Sequence, residues 1–197
     1  MDREEFQKNF LLGVITSIVA GFLVEALVGQ KRYQPGQLIN PDAVGGVVKP
    51  NGSSFVQECY QWVVDNIDYQ SFGSEIRFKQ DGIYAVRCDL PEEVLTKGVS
   101  NCLGMSLLLA SLLRQKLDED SVYVALGDAK LNGSWGGHAW VLVWDGDWYI
   151  LDSTYDKPIW IKGATERYEA EGYFNDRKLA CLPGETICQI KGRGGEG

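Results

Sequence analysis

The sequence predicts a fold that mixes helices with strands, because two helical patterns and several strand-like runs succeed each other along the chain. Residues 102–117 carry leucines nearly all round and follow Ser100 and Asn101, both good helix N-cap residues, so a central buried helix is expected there. An amphipathic helix is expected over 55–67, where apolar residues recur at helical spacing. The strand-like runs are IYAVRC (83–88), VYVAL (122–126), HAWVLVW (138–144) and WYILDST (148–154).

Length and charge narrow the class of protein. The chain has 197 residues, of which 45% are hydrophobic, so it can bury the core of one domain of ordinary size plus an appendage. Its formal net charge is −8. Charge of that sign repels nucleic acid and anionic membrane surfaces, and the sequence contains no cluster of Lys and Arg suited to phosphates. A nucleic-acid partner is therefore not expected.

The five cysteines indicate neither a disulfide-stapled scaffold nor a structural zinc site. Their number is odd, none belongs to a CxxC pair, and no histidine neighbours the close pair Cys181 and Cys188. One or two disulfides remain an alternative for an exported domain. No metal or cofactor is expected. Zinc held by Cys102, His138 and Asp152 is the weaker interpretation, because that ligand set is unusual for zinc.

Residues 10–29 predict a single membrane-anchoring helix. They form an apolar run in which Glu25 is the only charged residue, and twenty helical residues span about 30 Å, the thickness of a bilayer core. Gly13, Ser17 and Gly21 recur every fourth residue, a spacing typical of helix–helix contacts in membranes, which makes them candidates for self-association.

The charges after this run predict its orientation. Lys31 and Arg32 would keep the following domain on the cytoplasmic side of the membrane. The alternative is a helix that packs on the domain of a soluble cytoplasmic protein. The predicted organisation is an N-terminal hydrophobic helix (1–32), an exposed Pro- and Gly-rich linker (33–53), a globular domain (54–190) whose end from Lys157 is irregular, and a flexible tail (191–197).

Cys102 is the candidate nucleophile. It is predicted to lie in the first turn of the central helix, where free backbone N–H groups and the positive end of the helix dipole favour a thiolate over a thiol. An isolated cysteine is more often a small buried hydrophobic residue. A catalytic role therefore depends on a base close to it.

His138 and Asp152 are the candidate base and its orienting acid. His138 is the only histidine and opens one strand, while Asp152 ends the next. The segment 145–147, Asp-Gly-Asp, predicts a three-residue hairpin loop between these strands. Such a loop pairs Trp144 with Trp148, and it then places His138 and Asp152 as diagonal neighbours on one face, about 7 Å apart.

These positions predict a division of labour. Asp152 would accept a hydrogen bond from one imidazole nitrogen, and the other nitrogen would face Cys102 to form a thiolate–imidazolium pair. The alternative for Asp152 is a residue that only forms the turn at the strand end, since Asp-Ser-Thr is common there.

The motifs around these residues resemble those of the transglutaminase-like, papain-related superfamily, in its compact prokaryotic form. SNCLGMSLLLASLLR is similar to the cysteine-bearing helix of these proteins, and GGHAWVLVWDGDWYILDSTYD to their histidine and aspartate strands. The upstream VVDNIDYQ (63–70) is similar to the helix and tyrosine that precede the nucleophile. The resemblance covers residues 55–156. Many bacterial members have Gly-Asp-Cys where this chain has Ser-Asn-Cys, which puts the substrate preference in doubt.

The resemblance implies an α+β, papain-like core in which the cysteine helix packs on an antiparallel sheet. It also implies an acyl-enzyme mechanism on an amide carbonyl of a protein or peptide substrate, with a Cys-His-Asp triad and a thioester intermediate. Cleavage of the amide is favoured, because the chain is short and shows no extra domain for an amine donor. The alternatives are a protein-crosslinking transglutaminase or a deamidase, and a non-catalytic, membrane-tethered binding module on the same fold.

An acyl-transfer site also needs donors for the oxyanion of its tetrahedral intermediate. The backbone N–H of Cys102 is one candidate. The side chains proposed for the second donor, or for substrate binding, are Tyr69, Gln70 and Trp135.

Overall fold

The structure is a computed structural model that describes residues 31–49, 54–72, 75–79, 82–131, 133–154, 159–160 and 166–181. The predicted anchor over 10–29 and the predicted flexible tail over 191–197 lie outside these residues. Within these ranges no helix is both long enough and apolar enough to cross a bilayer.

Four helices and eleven strands occur in the described residues. The helices are α1 (Pro35–Leu38), α2 (Phe55–Asn66), α3 (Pro91–Lys97) and α4 (Cys102–Leu113). The first strands are β1 (Lys31–Tyr33), β2 (Asp68–Tyr69), β3 (Glu75–Lys79), β4 (Gly82–Val86) and β5 (Val99–Ser100). The later strands are β6 (Val122–Leu131), β7 (Ser134–Trp144), β8 (Trp148–Leu151), β9 (Ile159–Trp160), β10 (Tyr168–Phe174) and β11 (Leu179–Cys181).

The main sheet has six strands in the order β11-β10-β6-β7-β8-β9, and its neighbouring strands pair antiparallel. A three-stranded sheet has the order β1-β4-β3, and β2 pairs with β5 in parallel. The mixed helix-and-sheet fold predicted from the sequence is therefore present.

Helix α4 lies at the centre of the main hydrophobic core. Every residue after Cys102 in this helix is buried, and the helix packs against β6 and β7. A second apolar cluster covers the other face of the sheet, where Trp140, Leu142 and Tyr168 are buried together. Since β7 alternates its side chains between the two faces, it anchors both clusters.

The hairpin that joins β7 to β8 has the predicted register. Trp144 pairs with Trp148 across a three-residue loop, and Gly146 adopts a left-handed conformation with φ 80°. The loop closes with a hydrogen bond from the Asp145 N–H to the Asp147 carbonyl. A glycine tolerates this conformation without steric cost, so the loop residues fix the pairing of the strands.

Two predictions about the chain outside the central elements are wrong. The described part of the predicted linker is not exposed throughout: Leu38, Ile39 and Val44 are fully buried in the main core, while residues such as Gln34 and Asp42 are exposed. Its Pro and Gly residues favour short turns and helices here rather than a free linker, with Pro35 at the start of α1. The end of the domain after Lys157 was expected to be irregular, but it contains β10, which pairs with β6 inside the main sheet.

Candidate active site

Cys102 is the first residue of α4. The side chain of Asn101 caps this helix by accepting a hydrogen bond from the Gly104 N–H at 3.1 Å, and its amide donates to the Phe72 carbonyl at 3.2 Å. The thiol is partly exposed, whereas the rest of the helix is buried. The cap leaves the N–H groups at the very start of the helix without intrahelical acceptors, close to the thiol.

A buried contact behind the helix holds this position. Ser100 is fully buried, and its hydroxyl donates to the Asp89 carboxylate at 3.0 Å. A Cβ on Gly104 would collide with the Ser100 side chain. The first turn of α4 therefore depends on a glycine for its close approach to the segment that precedes Cys102.

His138 lies between Asp152 and Cys102. Its Nε2 is 2.8 Å from Asp152 Oδ2, and the side chains of the two residues are only 2% and 1% exposed. Cys102 lines the same cavity as the imidazole, and its side chain is close enough to act on the pKa of His138. Because Asp152 takes Nε2, Nδ1 is left as the ring nitrogen for the thiol. Trp140, two residues along the same strand, stacks on the imidazole at a ring-centroid distance of 6.3 Å.

The Asp152 carboxylate is saturated with hydrogen bonds. Besides His138, Oδ2 accepts from the Tyr168 hydroxyl at 2.7 Å. Oδ1 accepts from the Thr154 N–H at 3.0 Å and from the Thr154 hydroxyl at 2.6 Å. Tyr60 donates to the backbone carbonyl of Asp152 at 3.1 Å. These contacts fix both the orientation and the charge of the carboxylate.

The electrostatics of the pair follow from this arrangement. Burial lowers the pKa of His138, but its interactions with Asp152 and with Cys102 outweigh this effect and raise that pKa from 6.5 to about 9. Burial raises the pKa of Asp152, yet its hydrogen bonds from His138, Thr154 and Tyr168 give a net lowering. The geometry thus favours an imidazolium beside an ionised carboxylate at neutral pH.

A cavity of about 300 Å³ opens beside the thiol and the imidazole. Two carboxylate residues, Asp128 on β6 and Glu171 on β10, contribute to its wall. The other lining residues are apolar or glycine: Ile76, Leu103, Leu126, Gly127, Gly137 and Ala139. The space beside Cys102 is therefore lined mainly by apolar residues and glycines, with two carboxylates among them.

The three side chains proposed as oxyanion or substrate contacts do not line this cavity as the structure describes it. Tyr69 is 50% exposed and pairs with Ser100 through β2 and β5. The Gln70 N–H donates to the Ser100 carbonyl at 2.9 Å, so both residues brace the strand that leads into Cys102. Trp135 is 46% exposed, near the start of β7. Helix α4, by contrast, begins at Cys102, and both Cys102 and Leu103 of its first turn line the cavity.

Two residues near the site have no counterpart in the sequence prediction: Tyr168 and Glu171, both on β10. The alternation in YEAEGYF, with Tyr168 and Phe174 buried and Glu169 and Glu171 exposed, was the available signal for this strand. No local pattern, however, could show that the strand pairs with β6 and so reaches Asp152.

No group of three or more His, Cys, Asp or Glu side chains is arranged to hold a metal ion among the described residues. Cys59, Cys88 and Cys102 are free thiols.

Comparison with known proteins places the chain among proteins of this fold. A family model described as the transglutaminase-like superfamily matches residues 42–153, more than half of the chain. Solved structures of LapG from Legionella pneumophila superpose on it with a TM-score of 0.52. One of these LapG structures has 14% sequence identity, and the aligned region covers 77% of this chain and 79% of LapG. The calcium-bound form has 15% identity and covers 74% and 78%. At this identity the likeness concerns the fold alone. No curated protein sequence matches the chain.

Proposed function

Because the chain belongs to the transglutaminase-like superfamily, we propose that it is a thiol-dependent acyl-transfer enzyme that cleaves an amide bond of a protein or peptide. The observation that carries this proposal is the position of His138, whose Nε2 is 2.8 Å from Asp152 Oδ2 and whose ring lines one cavity with Cys102, at the start of a buried helix. The roles of the three side chains follow from that geometry.

Cys102 supplies the nucleophile. Its thiolate attacks the amide carbonyl carbon, a carbon–sulfur bond forms, and the carbonyl oxygen becomes an oxyanion that the N–H groups at the start of α4 stabilise. The His138 imidazolium then gives its proton to the leaving nitrogen, the carbon–nitrogen bond breaks, and an amine leaves a thioester on Cys102.

Water completes the reaction. The neutral imidazole takes a proton from a water molecule, the hydroxide oxygen attacks the thioester, and the carbon–sulfur bond breaks to release a carboxylic acid and the thiolate. Asp152 stays ionised throughout and holds the ring in one tautomer through Nε2.

The wall of the cavity bears on the substrate. Asp128 and Glu171 place negative charge beside Cys102, and the protein has a net charge of −8. Both the carboxylates in the cavity wall and the net charge of the protein would repel an acidic substrate segment. We therefore expect neutral or basic side chains next to the amide that is attacked.

Transfer and deamidation share the first half of this mechanism. An amine in place of water would yield a crosslink, and a glutamine side-chain amide as the acyl donor would yield a deamidated product. A binding module on the same fold would use none of these steps. Hydrolysis, transfer and deamidation therefore differ in their products rather than in the site, and a binding module would give no product.

The test uses a mixture of peptides from a digested proteome, incubated with the protein in the presence and absence of a primary amine such as cadaverine. Mass spectrometry then distinguishes three products: two shorter peptides from hydrolysis, a glutamine that has gained the amine and lost ammonia, and a glutamine converted to glutamate. We expect hydrolysis, and the control is Cys102→Ala. If the wild-type protein and this variant leave the same peptides, the enzyme proposal is wrong and the binding module is favoured.

A further inference from the structure

Tyr168 makes a hydrogen bond to Asp152 through its hydroxyl. Its side chain is buried, with 3% of the residue exposed, and its hydroxyl is 2.7 Å from Asp152 Oδ2. This is the oxygen that faces His138 Nε2 at 2.8 Å. The residue belongs to β10, beyond the 42–153 segment that matches the family model.

We propose that Tyr168 is a positioning residue, whose hydroxyl shares Asp152 Oδ2 with His138 and thereby limits how tightly the carboxylate holds the imidazolium. The proposal concerns the interaction between two side chains and can be tested without a substrate. Its consequence for turnover rests on the proposed acyl-transfer function.

The Tyr168 hydroxyl is not needed simply to orient the Asp152 carboxylate. Both hydrogen bonds of Thr154 are made to Oδ1, and Tyr60 holds the backbone carbonyl, so the carboxylate keeps its direction without Tyr168. The hydrogen bond from the Tyr168 hydroxyl instead reduces the negative charge on Asp152 Oδ2 that is available to His138 Nε2. Without it, His138 becomes the only donor to that oxygen among the described residues, and the pair tightens.

The surroundings of the tyrosine ring support a fixed hydroxyl. Trp140 packs against Tyr168 edge to face at 5.0 Å between ring centroids, and the imidazole of His138 lies 6.4 Å from the Tyr168 ring. Aromatic packing of this kind holds the ring in place when the hydroxyl is removed. The charged and titratable groups near the imidazole are Asp152, Cys102 and Tyr168, together with the cavity residues Asp128 and Glu171.

A limit on the strength of this pair matters for both halves of the reaction. The imidazolium must give a proton to the leaving amine, and the neutral imidazole must take a proton from water. A carboxylate that held the imidazolium more tightly would slow both transfers at neutral pH. Tyr168 would then favour turnover by keeping His138 able to change its protonation state.

The first test is a nuclear magnetic resonance titration with isotope-labelled histidine. His138 is the only histidine, so one imidazole signal reports its protonation. In Tyr168→Phe we expect the midpoint of this titration to rise by about half a pH unit or more, since one donor to the carboxylate is lost. The matched control is Tyr60→Phe, which removes a hydroxyl bonded to the Asp152 carbonyl rather than to its carboxylate, and it should leave the midpoint unchanged.

An unchanged or lowered midpoint in a folded Tyr168→Phe protein would overturn the proposal, and so would an equal rise in both variants. If Tyr168→Phe does not fold, replacing the tyrosines by 3-fluorotyrosine in the Tyr60→Phe background provides the second measurement. Fluorination makes the hydroxyl a stronger donor, so the midpoint should fall, and a midpoint that stays in place contradicts the proposal.

A second test links this effect to turnover. With p-nitrophenyl acetate as acyl donor, release of p-nitrophenolate reports acylation of Cys102, and the slower steady phase reports hydrolysis of the thioester. The pH midpoint of the steady phase should rise in Tyr168→Phe together with the imidazole midpoint, and a steady-phase midpoint that does not move contradicts the link. If no release depends on Cys102, the proposed function fails, while the imidazole titration still decides the role of Tyr168.

Discussion

The pair of His138 and Asp152 places charge where water is nearly absent. Taking two ions out of water costs several kcal/mol for each, and their attraction offsets this cost only when further hydrogen bonds satisfy the remaining polar atoms. Asp152 meets that condition, because Tyr168 and Thr154 bind both of its oxygens. A buried ion pair of this kind contributes little to stability, and its presence therefore supports the catalytic role proposed for these two residues.

Stability should depend on pH through His138. Its pKa rises from 6.5 to about 9 on folding, so its contribution is fully present below pH 6.5 and is lost as the pH rises through about 9. We expect the free energy of unfolding to fall by on the order of 3 kcal/mol over this interval. Urea unfolding at a series of pH values measures it.

His138→Gln is the control for that dependence, because the chain has no other histidine. The difference between the wild-type protein and this variant isolates the imidazole from the other groups that titrate above pH 8. The attribution of the dependence to His138 is wrong if the two proteins lose equal stability between pH 6.5 and 9. Asp152 works in the opposite sense: its pKa is lowered, so its contribution is lost on acidification.

The thiols should differ in reactivity. Burial raises the pKa of Cys59 and that of Cys88 to about 12 each, so both stay protonated at neutral pH. Cys102 lies at a helix N-terminus next to an imidazolium and lines an open cavity. Limited iodoacetamide treatment near neutral pH, followed by peptide mass spectrometry, should modify Cys102 first, and His138→Gln should remove this advantage. Equal labelling of the three thiols would contradict a catalytic role for Cys102.

In the proposed mechanism, Cys102, His138 and Asp152 should act as one unit. Cys102→Ala and His138→Ala should each abolish turnover, and Asp152→Asn should lower it by on the order of 10³- to 10⁴-fold, since it disturbs the tautomer rather than the nucleophile. Thermal unfolding must be recorded beside the rates, because Asp152 also binds Thr154 at the end of β8. A folded Asp152→Asn protein with the wild-type rate would remove Asp152 from the mechanism and leave a Cys–His pair.

At the scale of elements, the contact between β6 and β10 shapes the cavity. Gly127 pairs with His138 on one side and with Ala170 on the other, and the register of β10 shifts between Ala170 and Gly172. The extra residue of this bulge is Glu171, which lines the cavity. A bulge of this type redirects a side chain at the edge of a site.

Gly127→Ala should therefore be costly. A Cβ at this position would lie 2.8 Å from the Glu171 nitrogen and 2.9 Å from the Ala170 Cα, and backbone atoms cannot rotate away. We expect a loss of about 1 to 3 kcal/mol in the free energy of unfolding, measured with urea, and slower alkylation of Cys102.

The matched control for this substitution is Gly136→Ala on the neighbouring strand β7, where nothing lies within 4 Å of the added Cβ. This variant should change stability by less than about 0.5 kcal/mol. Similar losses at Gly127 and Gly136 would show that the close approach of β10 does not constrain the site.

The same elements show what sequence could predict. The pairing of β7 with β8 follows from three loop residues, because a hairpin loop fixes its own register. The place of β10 depends on pairing with β6, about forty residues earlier, and nothing in its local pattern specifies that partner. His138 and Asp152 belong to the hairpin and could be placed together, whereas Tyr168 could not.

At the scale of the whole molecule, the segment before α2 belongs to the folded domain. Leu38, Ile39 and Val44 are buried in the core, and β1 extends the small sheet by pairing with β4. The Ser111 hydroxyl accepts a hydrogen bond from the Asn40 N–H at 2.9 Å, which ties this segment to helix α4. The described domain therefore begins at Lys31 or earlier, and the predicted anchor over 10–29 would join it almost directly.

Because residues 10–29 lie so close in sequence to the folded domain, the prediction of a membrane anchor can be tested with shortened proteins. If residues 10–29 form a spanning helix, the full-length protein should sediment with membranes and resist extraction by carbonate, because a largely apolar run of twenty residues matches the thickness of a bilayer core. A shortened protein that starts at Lys31 should remain folded and should be recovered in the soluble fraction. One that starts at Pro35 should be less stable, since it lacks β1. A full-length protein that carbonate extracts completely would show that residues 10–29 do not span the bilayer.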